Sequence, residues 1–261
     1  MDFELTARRL REAYASGQIP SLRETLSPTD GLSAYEIQAV NTRYWLAQGR
    51  RMVGHKVGLT SKAVQTQLGV NQPDFGVLFE DMQIPAGATL NMTKTLQPKA
   101  EAEVALVLDR DLLDVHATAE VVANAAAYAC AAIEIVDSRI VDWKISFADT
   151  VADNGSSSFF VLGQQKMPLD NLDLYTCGMV LEKNGTPASF GAGAACLDHP
   201  LNAAAWLVRT LSSSGVGMKA GDVILTGALG PMLSLVSGDH LTAKVSGLGS
   251  VSFSCADQGR A

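Results

Sequence analysis

Three glutamates stand where their neighbours call for burial. Residues 101–108 read E-A-E-V-A-L-V-L, and in an extended strand alternate side chains share a face. Ala102, Val104, Leu106 and Leu108 then line one apolar face, while Glu101 and Glu103 lie side by side on the other, followed by Ala105 and Val107. A helix would turn the two carboxylates in divergent directions. Held about 7 Å apart by two strand rises, they repel unless water screens them or a cation sits between them. Glu134 interrupts the apolar run 126–136, where a lone carboxylate is costly unless paired, protonated or bound to metal. Three converging carboxylates suit a hard divalent cation such as Mg²⁺ or Mn²⁺, which takes oxygen ligands and keeps positions for water or substrate. The spacing also allows a plainer arrangement, with Glu101 and Glu103 at a solvated strand end and Glu134 paired with Arg139 or a lysine.

Other residues add to this picture without deciding it. Lys56, in "GHKVGLTS", lies between glycines that let backbone or ligand approach closely; it suits an anionic substrate, a proton transfer or simple solvation. Asp74, after Pro73 in "QPDFGVLF", reads most simply as a turn residue. "TGALGP", residues 226–231, offers the Thr226 hydroxyl and several amides in a glycine loop that can cradle a carboxylate or merely turn. The histidines, His55, His116, His199 and His240, form no ligand spacing and read as surface or capping residues. The absence of a GxSxG elbow, a P-loop or a GxGxxG fingerprint weighs against serine hydrolase, nucleotide-binding and NAD-dependent chemistry.

The bulk properties are those of a soluble globular protein, with 47% hydrophobic and 18% charged residues. A formal net charge of −7 and a pI near 5.1 argue against nucleic acid or an anionic membrane surface as partner. The first twenty residues carry charges throughout and lack the apolar core of a signal peptide, and no run approaches the ~20 apolar residues of a membrane span. The four cysteines are widely spaced without metal-ligand patterns, which points to reduced, mostly buried thiols in a cytoplasmic protein.

The elements that must position the three acids follow from periodicity. A helix is expected over residues 2–18, with Phe3, Leu10 and Tyr14 inward. A second carries a capping box of Ser33 and Glu36, then Ile37, Val40 and Tyr44, and stops at Gly49. "MVGHKVGLT" is strand-like, and "SKAVQTQLG" forms a short helix. Residues 1–70 are thus expected to be a largely helical N-terminal region and 71–261 a catalytic domain rich in β-strand. Strands are expected in "QPDFGVLFEDM", around the Glu101 pair, and in "AIEIVDSRI", "SSFFVLG", "LDLYTCGMVLEKNG" and "GDVILTG", with a hairpin in "HLTAKVSGLGSVSFSC". Helices are expected over about 118–131 and 200–215. This order is not a regular βαβα alternation, so it predicts an α+β fold with a folded-over β-sheet.

Taken together, "GHKVGLTS", "LGVNQPDFGVLFEDM", "LQPKAEAEVALVLDRDL", "SRIVDWKISFADTVADN", "HPLNAAAWLVR" and "GDVILTGALGPM" resemble, in order along nearly the whole chain, the 2-keto-4-pentenoate hydratase family of the fumarylacetoacetase-like fold. The resemblance implies a β-roll or sandwich catalytic domain and a divalent metal, Mg²⁺ or Mn²⁺, held by Glu101, Glu103 and Glu134. It implies hydration of a 2-hydroxy-2,4-dienoic acid in the meta-cleavage breakdown of aromatic compounds. By the same resemblance, Lys56 and Asp74 are expected to serve proton transfer or water positioning, Ser156 and Thr226 to contact the substrate, and the protein to form a homo-oligomer. A 4-oxalocrotonate decarboxylase with the same triad is the nearest alternative. A C–C hydrolase lacks a well-placed histidine. A non-catalytic partner of a pathway decarboxylase or aldolase would have little reason to keep three acids in a core.

Overall fold

Period-two alternation dominates the chain beyond residue 50. The computed structural model, which describes residues 2–170 and 172–257, resolves that alternation into two sheets. The larger contains β1 (Met52–Gly58), β2 (Asp74–Phe79), β4 (Lys99–Leu108), β5 (Ala126–Val136), β6 (Ser157–Leu162), β9 (Val223–Ala228) and the short β10 (Leu233–Ser234). Its order is β2-β1-β9-β4-β5-β6, with β10 paired to β4. β1 and β9 run parallel, and the other neighbours are antiparallel. Just beyond β2, Gln83 bridges to Phe160 of β6 and the Ile84 N–H donates to the Phe160 carbonyl at 2.8 Å. The two ends of the sheet are thereby drawn together into a roll. The second sheet, in the order β3-β12-β11-β7-β8, comprises β3 (Thr89–Asn91), β7 (Gly178–Lys183), β8 (Thr186–Ala192), β11 (His240–Val245) and β12 (Gly249–Ala256).

The two faces expected for residues 101–108 separate as alternation requires. Ala102, Val104, Leu106 and Leu108 enter the main core with Ile133, Leu241 and Phe253, which is also covered by helix α6 (Pro200–Ser213) through Ala203, Ala204 and Leu207. Ala105 and Val107 instead pack inside the roll with Phe79, Phe160 and Leu225. A third core is helical. Leu10 of α1 (Phe3–Ser16), Ile37 of α2 (Gly31–Ala47) and Phe147 and Val151 of α5 (Phe147–Ala152) are buried together. Two short helices, α3 (Lys62–Gln67) and α4 (Ala119–Ala125), lie in the connections.

The α+β architecture with a folded-over sheet agrees with the sequence reading, and local boundaries differ for identifiable reasons. Asp30, not Ser33, caps α2: its Oδ1 accepts the Ser33 N–H at 3.1 Å, so the helix begins at Gly31. The helix expected over 118–131 ends at Ala125, because residues 126–136 gain a ladder with β4 along their length and with β6 beyond. Those hydrogen bonds override alanine's helical preference. Helix α5 escaped the periodicity reading because it has only six residues, although its capping box of Ser146 and Asp149 is visible in the sequence. Within residues 1–70, β1 sits in the middle of the larger sheet between β2 and β9, so this stretch supplies a catalytic-sheet strand as well as helices.

Phe147 is wholly buried where α5 meets α1 and α2. Phe147→Ala is expected to lower stability by about 3–5 kcal/mol, read from urea unfolding; a loss below about 1 kcal/mol would show that the helical layer closes around the gap.

Candidate metal centre and active site

The antiparallel register of β4 and β5 sets Glu101 directly opposite Glu134, and Glu103 follows two residues along the same face. One carboxylate oxygen from each of the three lies within 4.8 Å of the others. Glu103 and Glu134 are fully buried and Glu101 is half-buried. Glu103 Oε2 accepts the Gly227 N–H at 2.8 Å from the end of β9. Among the described residues, Glu103 Oε1 and both Glu134 oxygens have no hydrogen-bond partner. Buried carboxylate oxygens are rarely left so, and clustered ones point to a cation. Burial pushes Glu101 up to about 7, helped by the charge of Glu134 and opposed by Lys56. Burial likewise raises Glu103 well above the usual carboxylate range, with Glu134 and Glu101 adding to it.

Lys56 reaches this cluster from β1. Its Nζ stands 3.4 Å from Glu134 Oε2, an ion pair without hydrogen-bond geometry. The lysine, not Arg139, is therefore the basic neighbour of Glu134; Arg139 pairs with Asp153. Burial by itself would lower the Lys56 ammonium, but Glu134, Asp74, Glu101 and Glu103 more than offset it and hold it above its ordinary value. Asp74 is not an exposed turn residue. It opens β2 opposite Gly58, is 1% exposed, and burial raises it despite Lys56 and Thr150. Thr150 Oγ1 donates to Asp74 Oδ2 at 3.3 Å, whereas Oδ1 has no hydrogen-bond partner among the described residues. A Cβ at Gly58 would fall 2.1 Å from Asp74 Oδ1 and 3.0 Å from Lys56 Nζ, so both functional groups converge on the space that the glycine leaves open.

Ser156 and Thr226 sit differently. Ser156 Oγ lies 3.5 Å from Thr150 Oγ1, which links it to Asp74. Thr226 is fully buried and its hydroxyl donates to the Val104 carbonyl at 2.9 Å, tying β9 to β4. Sequence reasoning missed Thr150 and Tyr35, whereas the Gly227 amide belongs to the glycine loop read as able to cradle a carboxylate, here that of Glu103. Tyr35 donates no obvious motif, yet its hydroxyl accepts the Phe75 N–H at 3.2 Å and its ring stacks on Phe75 beside Asp74. Asn154 was also missed, although Asn-Gly is a dipeptide disposed to positive φ. Among the histidines, His199 caps α6 through Nδ1 and His116 and His240 are exposed, but His55 is buried, contrary to the surface reading.

The family model described as fumarylacetoacetate hydrolase C-terminal matches residues 47–254. The chain belongs to this family. It is 50% identical over 250 residues to 2-keto-4-pentenoate hydratase 1 of Dechloromonas aromatica, covering 95% of each chain. It is 52% identical over 247 residues to the 2-keto-4-pentenoate hydratase of Burkholderia vietnamiensis, covering 94% of each. In three dimensions it resembles a 4-oxalocrotonate decarboxylase from Pseudomonas putida complexed with magnesium and adipate, at a TM-score of 0.93, 34% identity and 97% coverage of both chains. The helices α1 and α2 lie before or at the edge of the matched region, which spans both sheets from β1 to most of β12.

Two measurements test how tightly this member of the family packs its site. Gly58→Ala forces a carbon onto Asp74, so it is expected to lower stability by about 1–3 kcal/mol; an unchanged melting temperature would show that Asp74 swings away freely. His55, next to Lys56, has its pKa lowered to about 4 by burial. The unfolded chain therefore binds the extra proton first as pH falls. Stability is complete above the ordinary histidine value near 6.5 and falls towards pH 4, by about 3 kcal/mol over that window. Urea unfolding from pH 7 to 4 should show this loss, and His55→Asn should flatten it.

Proposed function

We propose that this chain is a metal-dependent hydro-lyase that adds water to 2-hydroxypenta-2,4-dienoate, giving 4-hydroxy-2-oxopentanoate, in the meta-cleavage breakdown of aromatic compounds. The observation that carries the reading is the three-glutamate oxygen cluster facing Lys56 and Asp74, in a chain 50% identical to a hydratase over 95% of its length. The donor set fits a hard divalent cation: all three ligands are carboxylates, and Glu103 Oε1 and both Glu134 oxygens have no other partner among the described residues. Held by Glu101, Glu103 and Glu134, Mg²⁺ or Mn²⁺ would supply Lewis-acid stabilisation of negative charge on the substrate's 1-carboxylate and 2-oxo oxygens.

The chain's own residues supply the proton transfers. Asp74 Oδ1, left free while Thr150 engages Oδ2, moves the proton that reaches C5 as the 2-hydroxyl proton leaves. The dienol becomes an α,β-unsaturated ketone, electrophilic at C4. Lys56 Nζ, buried beside Glu134, orients the water that adds at C4. A proton delivered to C3 completes the addition of one water. Ser156 supports Asp74 through Thr150, and Thr226 shapes the wall beside Glu103 by holding β9 on β4.

A second reading is favoured by the fold match to the decarboxylase: an oxygen cluster of this kind also suits the enolate left when a 2-oxo-hexenedioate loses CO₂. The higher identity to the hydratases places hydration first. The homo-oligomer is proposed as what the family resemblance implies, and four free, buried cysteines support a cytoplasmic setting. Among the described residues no helix is long and apolar enough to cross a membrane. We retain the division at residue 70 as a proposal, with β1 of the N-terminal part completing the catalytic sheet.

The deciding assay follows the dienol absorbance band of 2-hydroxypenta-2,4-dienoate with Mg²⁺ or Mn²⁺, with EDTA, and with Glu101→Gln. Loss of the band with formation of the 4-hydroxy-2-oxo acid is expected only in wild type with metal, and Glu101→Gln should cost at least about 10²-fold in kcat/KM. A persistent band together with CO₂ release from 4-oxalocrotonate would replace hydration with decarboxylation.

A further inference from the structure

Between α5, which carries Thr150, and β6 the chain makes an unusual turn. Asn154, Gly155 and Ser156 hold φ of 58°, 62° and 54°, three successive residues in the left-handed region. Asparagine and glycine enter that region readily; serine does so only when its surroundings dictate it. The surroundings here are specific. Asn154 Oδ1 accepts the Val77 N–H at 2.7 Å, and Asn154 Nδ2 donates to the Val77 carbonyl at 3.0 Å. β2 is an edge strand of its sheet, so this side-chain amide serves Val77 as a strand neighbour would. The turn then lies flat on β2: a Cβ at Gly76 would fall 2.3 Å from the Asn154 carbonyl. It also lies on the lysine, since a Cβ at Gly155 would fall 2.8 Å from Lys56 Cε. Behind the turn, Arg139 grips both the carboxylate and the carbonyl of Asp153, and the Asp137 N–H donates to the Ser156 carbonyl at 2.8 Å.

We propose that Asn154 is a positioning residue: by pairing with Val77 it seats the left-handed turn that presses Gly155 onto the Lys56 side chain and keeps Ser156 beside Thr150 and Asp74. This deepens the hydratase reading and rests on it for the link to turnover. Its geometric content stands apart from that reading. Asn154 is not placed to act on substrate directly. It fixes where the ammonium of Lys56 and the carboxyl of Asp74 stand relative to the three glutamates, and displacements of about 1 Å in such groups cost on the order of 10²-fold in rate.

The test compares the full-length protein with Asn154→Ala, Asn154→Gly and Gly155→Ala. Asn154→Gly keeps the freedom to adopt positive φ while removing the amide clamp, and so separates backbone strain from the pairing with Val77. Gly155→Ala keeps the clamp and pushes on Lys56 itself. The first readout needs no catalysis: acetylation of Lys56 by acetic anhydride, followed by peptide mass spectrometry. Lys56, 4% exposed in the native fold, should label faster in both Asn154 variants. In the hydratase assay, all three variants should lose on the order of 10²-fold in kcat while KM changes by less than about threefold. Mn²⁺ affinity, followed by the electron paramagnetic resonance of the free ion, should stay at the wild-type value, because Asn154 touches none of the glutamates. Wild-type labelling of Lys56 in Asn154→Ala and Asn154→Gly would overturn the proposal, as would a loss confined to KM and Mn²⁺ affinity. If the wild-type protein hydrates no dienoate with any metal, the hydratase reading fails, and the labelling of Lys56 still decides the role of Asn154.

Discussion

Like charge held inside a sheet is the constraint around which this molecule is arranged. Asp74, Glu101, Glu103 and Glu134 are gathered with Lys56 on the inner side of a rolled sheet, where water does little to screen them. Left to itself such a group of acids would pull the strands apart or take up protons; burial first, and then their acidic neighbours, raise Glu101 and Glu103 accordingly. The sheet resists because β4 is hydrogen-bonded on both sides, to β5 and to β9, and because its other face is sealed into the largest apolar core. A divalent cation held among the three carboxylates, as proposed for this site, would relieve the repulsion and supply a chemical use for it.

The charged groups at the centre all come from one continuous patch of that sheet. β2, β1, β9, β4 and β5 are successive neighbours, and they contribute Asp74, Lys56, the Gly227 amide, the Glu101 and Glu103 pair, and Glu134. Functional groups carried on hydrogen-bonded strands hold their separation far better than groups on loops. Thr150 and the turn at Asn154–Ser156 come instead from the layer of helices and loops outside the sheet. That layer is fastened by its own apolar core and by the buried Arg139–Asp153 pair, in which Arg139 also donates to Tyr14 of α1. The N-terminal helices are thus joined to the site through a polar chain as well as through packing.

Much of this was legible in the residue pattern. Alternation alone put Ala102, Val104, Leu106 and Leu108 on one face and the two glutamates on the other, since a strand has a period of two wherever it lies. The interruption of an apolar run by Glu134 marked a third acid in want of a partner, and the ordered set of motifs connected the three to a metal-using family. Local signals failed where a neighbour's demand was stronger. Residues 126–131 are rich in alanine and read as helix, yet pairing with β4 draws them into a strand. Ser33 and Glu36 mimic a capping box, yet Asp30 caps the helix three residues earlier. Asp74 looks like a turn residue after proline, yet pairing of β1 with β2 buries it opposite Gly58.

The sequence by itself determined which residues face the same way along each strand, which acids stand in apolar runs, and that the chain carries a formal net charge of −7, because these depend only on periodicity, residue chemistry and composition. Only the tertiary structure decided that Glu134 stands across from Glu101, that Lys56 rather than Arg139 neighbours it, and that Asn154 closes the edge of β2 over that lysine. The register of non-adjacent strands and the choice among possible ion-pair partners depend on distances between segments far apart in the chain. Those distances exist only once the roll has closed and the two sheets have packed together.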